Sequence, residues 1–176
     1  MSNFQNVPLK VYIQDIFRAK KTEQKYIYEL FNLTFKNVMI HGVVTSIYNK
    51  TTSATNLELS DPTGSVQIYY DVTKSNMNLR GGAIKDLYSH LEDVSRRDEN
   101  LGIVSTLMNS IISRQGINFN EGDYVSVVGD IFVDDKNCRL VSAYDCKATS
   151  VERDVIWLEE LRYLYEKFYL WDKVEE

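Results

Sequence analysis

Tyrosine is the residue to follow in this chain. Twelve tyrosines stand among 176 residues, several of them beside lysine or arginine in stretches that alternate like strands. Tyr48 and Lys50 close one such stretch; Gln67 and Tyr69 alternate with apolar residues in another, and Lys74 follows it. Phe132, Arg139, Tyr144 and Lys147 border a later hairpin. Aromatic faces stack bases at ~1–3 kcal/mol each and nearby cations track phosphates, so this set fits single-stranded nucleic acid held without sequence readout. Each residue also has a plainer role, since strand tyrosines pack across strands and surface lysines are solvated. Asp134 and Asp135 at the hairpin tip repel phosphate, so weak affinity for the chain alone is expected.

Catalysis finds little to work with. The acids are scattered, and there is no HExxH, no phosphate-binding glycine loop and no Ser/His/Asp set in a recognisable context. His41 lies in a strand and reads as a packed or surface histidine. Two histidines and no CxxC leave no metal-ligand cluster, and no cofactor is expected. Cys138 and Cys146 lie too far apart along one strand for a disulfide and read as free thiols of a reducing compartment. No apolar run is long enough to span a bilayer and no signal peptide opens the chain, so an intracellular soluble protein without membrane contact is expected.

The stretch that must position these residues runs from Phe35 to Asp71. Asn37 to Tyr48 is β-branched and apolar, with Gly42 inside it, the mark of a bulge or bend. Asp61-Pro62-Thr63-Gly64 carries turn chemistry, with φ pre-set at Pro62 and a positive φ permitted at Gly64. Val66, Ile68 and Tyr70 then alternate with Gln67, Tyr69 and Asp71, which turns the first three inward and leaves Gln67 and Tyr69 on the outer groove. Three strands are expected at roughly 36–48, 56–60 and 65–72. A fourth, with Gly129 inside it, follows the turn at Asn120–Asp123. A fifth runs from Cys138 to Ser150. Helical stripes at about 82–95 and 101–114 fall between the third and fourth strands. This order predicts a mainly β chain with helices, a single five-stranded OB-fold barrel with a helical insertion over 82–114.

Charge is uneven. The formal net charge is −5, which argues against strong autonomous nucleic-acid binding. From Pro8 to Lys50, however, seven basic residues stand against three acids, which permits a local phosphate-binding surface. From Val151 onward acids dominate.

Two helical stripes flank the barrel. Leu9, Tyr12, Ile13, Ile16 and Phe17 predict a helix over Val7–Lys21, with an extended arm as the alternative, since Val11 and Ile13 also alternate. Tyr26 to Phe35 reads as a strand or extended edge. Asp154 can cap a last helix, Val155 to about Trp171, whose main stripe is Trp157, Leu158, Leu161, Leu164, Tyr165, Phe168 and Trp171. Ile156, Tyr163 and Leu170 form a second stripe. Two apolar faces predict a partner, met by Ile156, Tyr163 and Leu170 with Trp157, Glu160, Leu164, Lys167 and Trp171. The units are then an arm at 1–34, the barrel at 35–150 and the partner helix at 151–176.

Several segments together resemble a known family. Lys10-Val-Tyr-Ile-Gln-Asp-Ile-Phe17, Gly42-Val-Val-Thr-Ser-Ile47, Asp61-Pro-Thr-Gly-Ser-Val66, Glu121-Gly-Asp-Tyr-Val-Ser-Val-Val-Gly129 and Val155-Ile-Trp-Leu-Glu-Glu-Leu-Arg-Tyr-Leu-Tyr165 resemble, in order and spacing, the Stn subunit of the CST telomere-capping complex. The middle subunit of replication protein A is its sister. The resemblance implies a non-enzymatic nuclear subunit at telomeres. It would pair with a small Ten-type OB protein through C-terminal helices, join a larger capping subunit, and help protect single-stranded ends. Tyr69 falls near a stacking tryptophan of the replication-protein-A relative. The Stn pattern often has tryptophan where this chain ends its third strand Tyr69-Tyr70-Asp71. No winged-helix region follows, so the chain reads as a fragment or as a reduced member like the verrocchio-like subunits. The runner-up readings are a general single-strand-binding subunit and an OB scaffold that binds only protein.

Overall fold

The first barrel strand does the most to shape the molecule. In the computed structural model, which describes residues 3–51, 53–72, 90–91, 103–104 and 119–170, this strand is preceded by five short strands. These are β1 (Asn3–Gln5), β2 (Leu9–Lys10), β3 (Lys20–Lys21), β4 (Tyr28–Leu30) and β5 (Leu33–Phe35), with helix α1 (Ile13–Arg18) between β2 and β3. The long strand is then β6 (Asn37–Tyr48), followed by β7 (Ala54–Asp61), β8 (Gly64–Asp71), β9 (Tyr124–Val133) and β10 (Arg139–Ala148). Strand β6 pairs antiparallel with β9 over 37–43 and with β7 over 43–48, changing partner just past Gly42. A Cβ at Gly42 would lie 2.4 Å from the Ser60 carbonyl oxygen, so only glycine lets β7 approach.

The ring closes in the order β6–β7–β8–β10–β9–β6, with β8–β10 its parallel pair. That is the OB-fold barrel. Alternate residues fill it: Val38, Ile40, Val44, Leu57, Leu59, Val66, Ile68, Val125, Val127, Ile131 and Val141 are all buried. The expected helical insertion lies almost wholly outside the described residues; its four described residues, 90–91 and 103–104, are helical.

The arm differs from a continuous helix over Val7–Lys21. Leu9–Lys10 pairs parallel with β6 and the Val11 N–H donates to the Met39 carbonyl, so this backbone is extended and cannot be helical. Helix α1 begins only at Ile13. Both sequence patterns are therefore real, each over half of the segment: Leu9 and Val11 are buried as extended chain, Ile13 and Ile16 as helix. The start of α1 is capped from the β7–β8 turn, where Asp61 Oδ2 accepts from the Ile13 N–H at 2.8 Å and Thr63 Oγ1 accepts from the Gln14 N–H. The other Asp61 oxygen holds its own turn, accepting from the Thr63 and Gly64 N–H groups. One aspartate thus ties α1 across this end of the barrel and shapes the hairpin beneath it.

Tyr26 to Phe35 is a hairpin rather than a single strand. β4 and β5 join through Phe31 and Asn32, at φ 55° and 60°, the two-residue turn that needs positive φ twice. The small sheet has the order β1–β5–β4–β3.

The last helix, α2 (Val151–Leu164), starts four residues before the expected Val155. Its cap is Ser150, whose Oγ accepts from the Arg153 N–H, and not Asp154. It continues as a π-helical turn over Tyr165–Tyr169, where the Leu170 N–H donates to the Tyr165 carbonyl. The extra residue in that turn rotates the chain by most of one position. Tyr169 consequently points inward, its hydroxyl donating to the Lys10 carbonyl, while Phe168 is 63% exposed. Phe168 therefore leaves the inward stripe that α-helical spacing predicts for it.

Candidate nucleic-acid and partner surfaces

The barrel's pleat sets the outer groove. Inward Thr55, Leu57 and Leu59 on β7, and Val66 and Ile68 on β8, leave Asn56, Glu58, Gln67 and Tyr69 outside. Register then makes one row across four strands, Tyr48–Asn56–Tyr69–Ser142, and a second row Ser46–Glu58–Gln67 beside it. The structure thus brings Tyr48 and Tyr69 together, two strand spacings or about 10 Å apart. Tyr48 is half-buried, and its hydroxyl has no hydrogen-bond partner among the described residues; burial, then Glu58, pushes its pKa up. Tyr69 donates to the Asp71 carboxylate at 3.4 Å. Tyr70 turns toward the core against Phe119, and burial pushes its phenol up to about 12.

The expected groove cations are divided. Lys50 is exposed in the β6–β7 loop, where Asn49 turns with φ 53°. Lys147 is ion-paired with Asp145 at 3.0 Å. Lys74 lies outside the described residues. Arg139 is a correction: one guanidinium nitrogen donates to the carbonyls of Ile16, Phe17 and Ala19, at 2.7, 2.9 and 2.7 Å. The same guanidinium lies over the Tyr28 ring. Helix α1 ends in carbonyls with no intrahelical partner, and Arg139 satisfies them. It is a strut and does not face the groove. Tyr144 is likewise engaged, its hydroxyl accepting from Asn37 Nδ2 at 2.6 Å on the β6–β9–β10 side. Phe132 is exposed on β9 opposite Leu140. In the hairpin tip Asp134 Oδ1 accepts from the Lys136 and Cys138 N–H groups, so this acid shapes the turn.

Glu58 and Asp71, among the described residues, share the outer face of the Tyr48–Tyr69 row. Among the described residues no group of three or more His, Cys, Asp or Glu side chains could hold a metal ion. No helix among them is long and apolar enough to cross a membrane.

The expected partner residues split into two sets. Trp157 is 4% exposed and faces its own barrel, stacked on His41 with centroids 4.2 Å apart and planes 8° apart. Lys10 Nζ lies over the same indole at 5.3 Å and bonds Glu160 Oε2 at 2.8 Å. Trp157 and Glu160 are therefore spent inside the chain. Burial, then Lys10, lowers the His41 pKa to about 4. Leu164 is half-buried. Ile156 and Tyr163 are outward, 48% and 57% exposed, and Val155 extends their row; Tyr163 and Phe168 meet edge to face. Lys167 and Leu170 are exposed at the end of the helix, and Trp171 lies outside the described residues.

Sequence reasoning missed a cluster behind the π-helical turn. Tyr12, Phe31, Tyr165 and Tyr169 interlock, with Phe31 stacked on Tyr169 at 5.1 Å and 9°. The Tyr165 hydroxyl accepts from the Tyr12 N–H and donates to the buried Asp15 carboxylate, and burial and that contact push its pKa far up. The aromatic content of 163–169 was the available signal, but α-helical spacing does not reveal a π-helical turn.

No protein-family model matches the chain, and no curated protein matches it in sequence. Solved structures do match. One is a chain from a replication protein A heterotrimer bound to single-stranded DNA, at TM-score 0.57 and 13% identity, covering 92% of this chain and 98% of that one. Another is a chain from the S. pombe Stn1–Ten1 complex, at TM-score 0.57 and 13% identity, covering 100% and 99%. The likeness is one of fold. It spans the arm and C-terminal helix as well as the barrel.

Proposed function

We propose that this chain is a non-enzymatic OB-fold subunit of a nuclear assembly on single-stranded DNA. In it the chain acts first as a partner and second as a DNA binder. The observation that carries the reading is the outward row Val155, Ile156 and Tyr163 on a helix whose inner face is already filled by Trp157 and Leu161. A helix that only covered its barrel would need one apolar face. The finer reading is a telomere-capping role with a small Ten-type OB protein seated on this row and a larger capping subunit beyond it. It is supported by the segment resemblance and by the likeness in fold to a chain of an Stn1–Ten1 complex. The matching replication protein A chain supports the broader alternative of a general single-strand-binding subunit. The acidic border of the Tyr48–Tyr69 row supports weak binding alone.

Co-purification from the source cell with mass spectrometry tests the partner. A small OB protein is expected, released by Ile156→Asp with Tyr163→Asp while the monomer still melts normally. An unchanged heterodimer would remove the partner-face argument. Single-stranded DNA titrated with and without the partner over a salt series tests the rest: affinity that never varies with salt would sink both DNA readings.

A further inference from the structure

Further exposed cations stand at the arm. A pocket of about 420 Å³ opens between the end of α1, the β4–β5 hairpin and the π-helical turn, lined by Arg18, Lys20, Phe31, Phe168 and Tyr169 together with Asp15 and Glu29, the cross-strand neighbour of Lys20. That volume is in the range of small-ligand sites. Arg18 is 63% exposed beyond its 3.4 Å contact with Asp15, and Asp15 is buried and engaged by Tyr165. Lys20 is exposed at its rim.

Two kinds of local distortion meet here. Phe31 and Asn32, both lining the pocket, have positive φ, at 55° and 60°. For an aromatic residue such a conformation is strained and persists where the surroundings impose it, often at binding sites. The π-helical turn is the second distortion, and such turns recur at functional sites. It is what brings Phe168 to the rim and Tyr169 under Phe31.

We propose that this pocket is a second contact for single-stranded nucleic acid, in which a base stacks at Phe31 and Phe168 and its phosphates meet Arg18 and Lys20. The inference rests on the DNA part of the function proposed above. Rings that bind planar groups beside exposed cations are what a strand without sequence readout requires. Arg18 and Lys20, two of the basic residues of the N-terminal third, thereby acquire a role.

The full chain bound to an oligothymidylate carrying iodouracil, photo-crosslinked and mapped by mass spectrometry, tests this without altering the protein. Crosslinks in peptides holding Phe31 or Phe168 are expected. Crosslinks confined to Tyr48 and Tyr69 would overturn the pocket and leave the proposed function standing. No binding at low salt, alone or with the partner, would overturn both. In parallel, Arg18→Gln with Lys20→Gln should flatten the slope of log affinity against log salt by about 1.4, near 0.7 for each phosphate that is no longer neutralised. Lys20→Gln alone, which leaves the Asp15 contact intact, should flatten it by about 0.7. An unchanged slope in both variants would overturn the pocket.

Discussion

Trp157→Ala separates the two faces of α2. The indole is almost fully buried between His41 and the Lys10 side chain, and with Leu161 it forms the buried contact of α2. Truncating a buried tryptophan typically destabilises by about 3–5 kcal/mol through the transfer energy forfeited and the cavity left behind. For a chain of this size each kcal/mol shifts the melting temperature by about 2–4 °C, so a fall of about 6–20 °C is expected. Thermal melts and urea unfolding of the isolated chain read the effect, with the slope against urea showing whether α2 detaches in the native state. Ile156→Asp with Tyr163→Asp, made in the same chain, should shift the melt by no more than about 2–4 °C, because each surface change is usually within about ±0.5 kcal/mol. Should Trp157→Ala leave stability unchanged and abolish the heterodimer, the assignment of inner and outer faces would be wrong.

Three further outcomes follow from the same geometry. His41 has its folded pKa lowered from 6.5 to about 4, mainly by burial, with Lys10 and Arg153 on the same side and Glu160 opposing. Below pH 6.5 the unfolded chain binds the proton first, so this stability is present above 6.5 and is lost as pH falls toward 4. Unfolding midpoints measured across that window should flatten in His41→Phe. Arg139→Gln leaves carbonyls at the end of α1 without their donor and should lower stability by about 1.5–3 kcal/mol, read by urea unfolding. At matched folded fraction its DNA affinity should stay unchanged, against the role that the sequence alone suggests for it. Gly42→Ala drives a Cβ into the Ser60 carbonyl and should destabilise by about 1–3 kcal/mol or more, checked by the same unfolding.

The barrel was legible because strand periodicity is local. Val66, Ile68 and Tyr70 against Gln67, Tyr69 and Asp71 carry their facing in their order, and Gly42 and Asp61–Gly64 mark where the chain bends and turns. The arm was half legible, because Leu9 to Phe17 satisfies a helical and an extended period at once. Pairing with β6 decided where one stopped. The site was least legible. Whether an arginine meets solvent or a helix end depends on what lies far away in the chain, and Arg139 finds α1 only when the barrel closes.

The sequence by itself determined which faces of the strands turn inward, where the hairpins fall, and that the last helix has more apolar surface than one barrel can cover. Tertiary structure alone decided which helix residues stay outside. Trp157 and Glu160 are taken by His41 and Lys10, groups distant in sequence, and the π-helical turn exchanges Phe168 for Tyr169. The physical reason is the same in each case. Facing within an element follows from backbone period, whereas the partner of a charge or a ring is set by long-range closure, which no local pattern encodes.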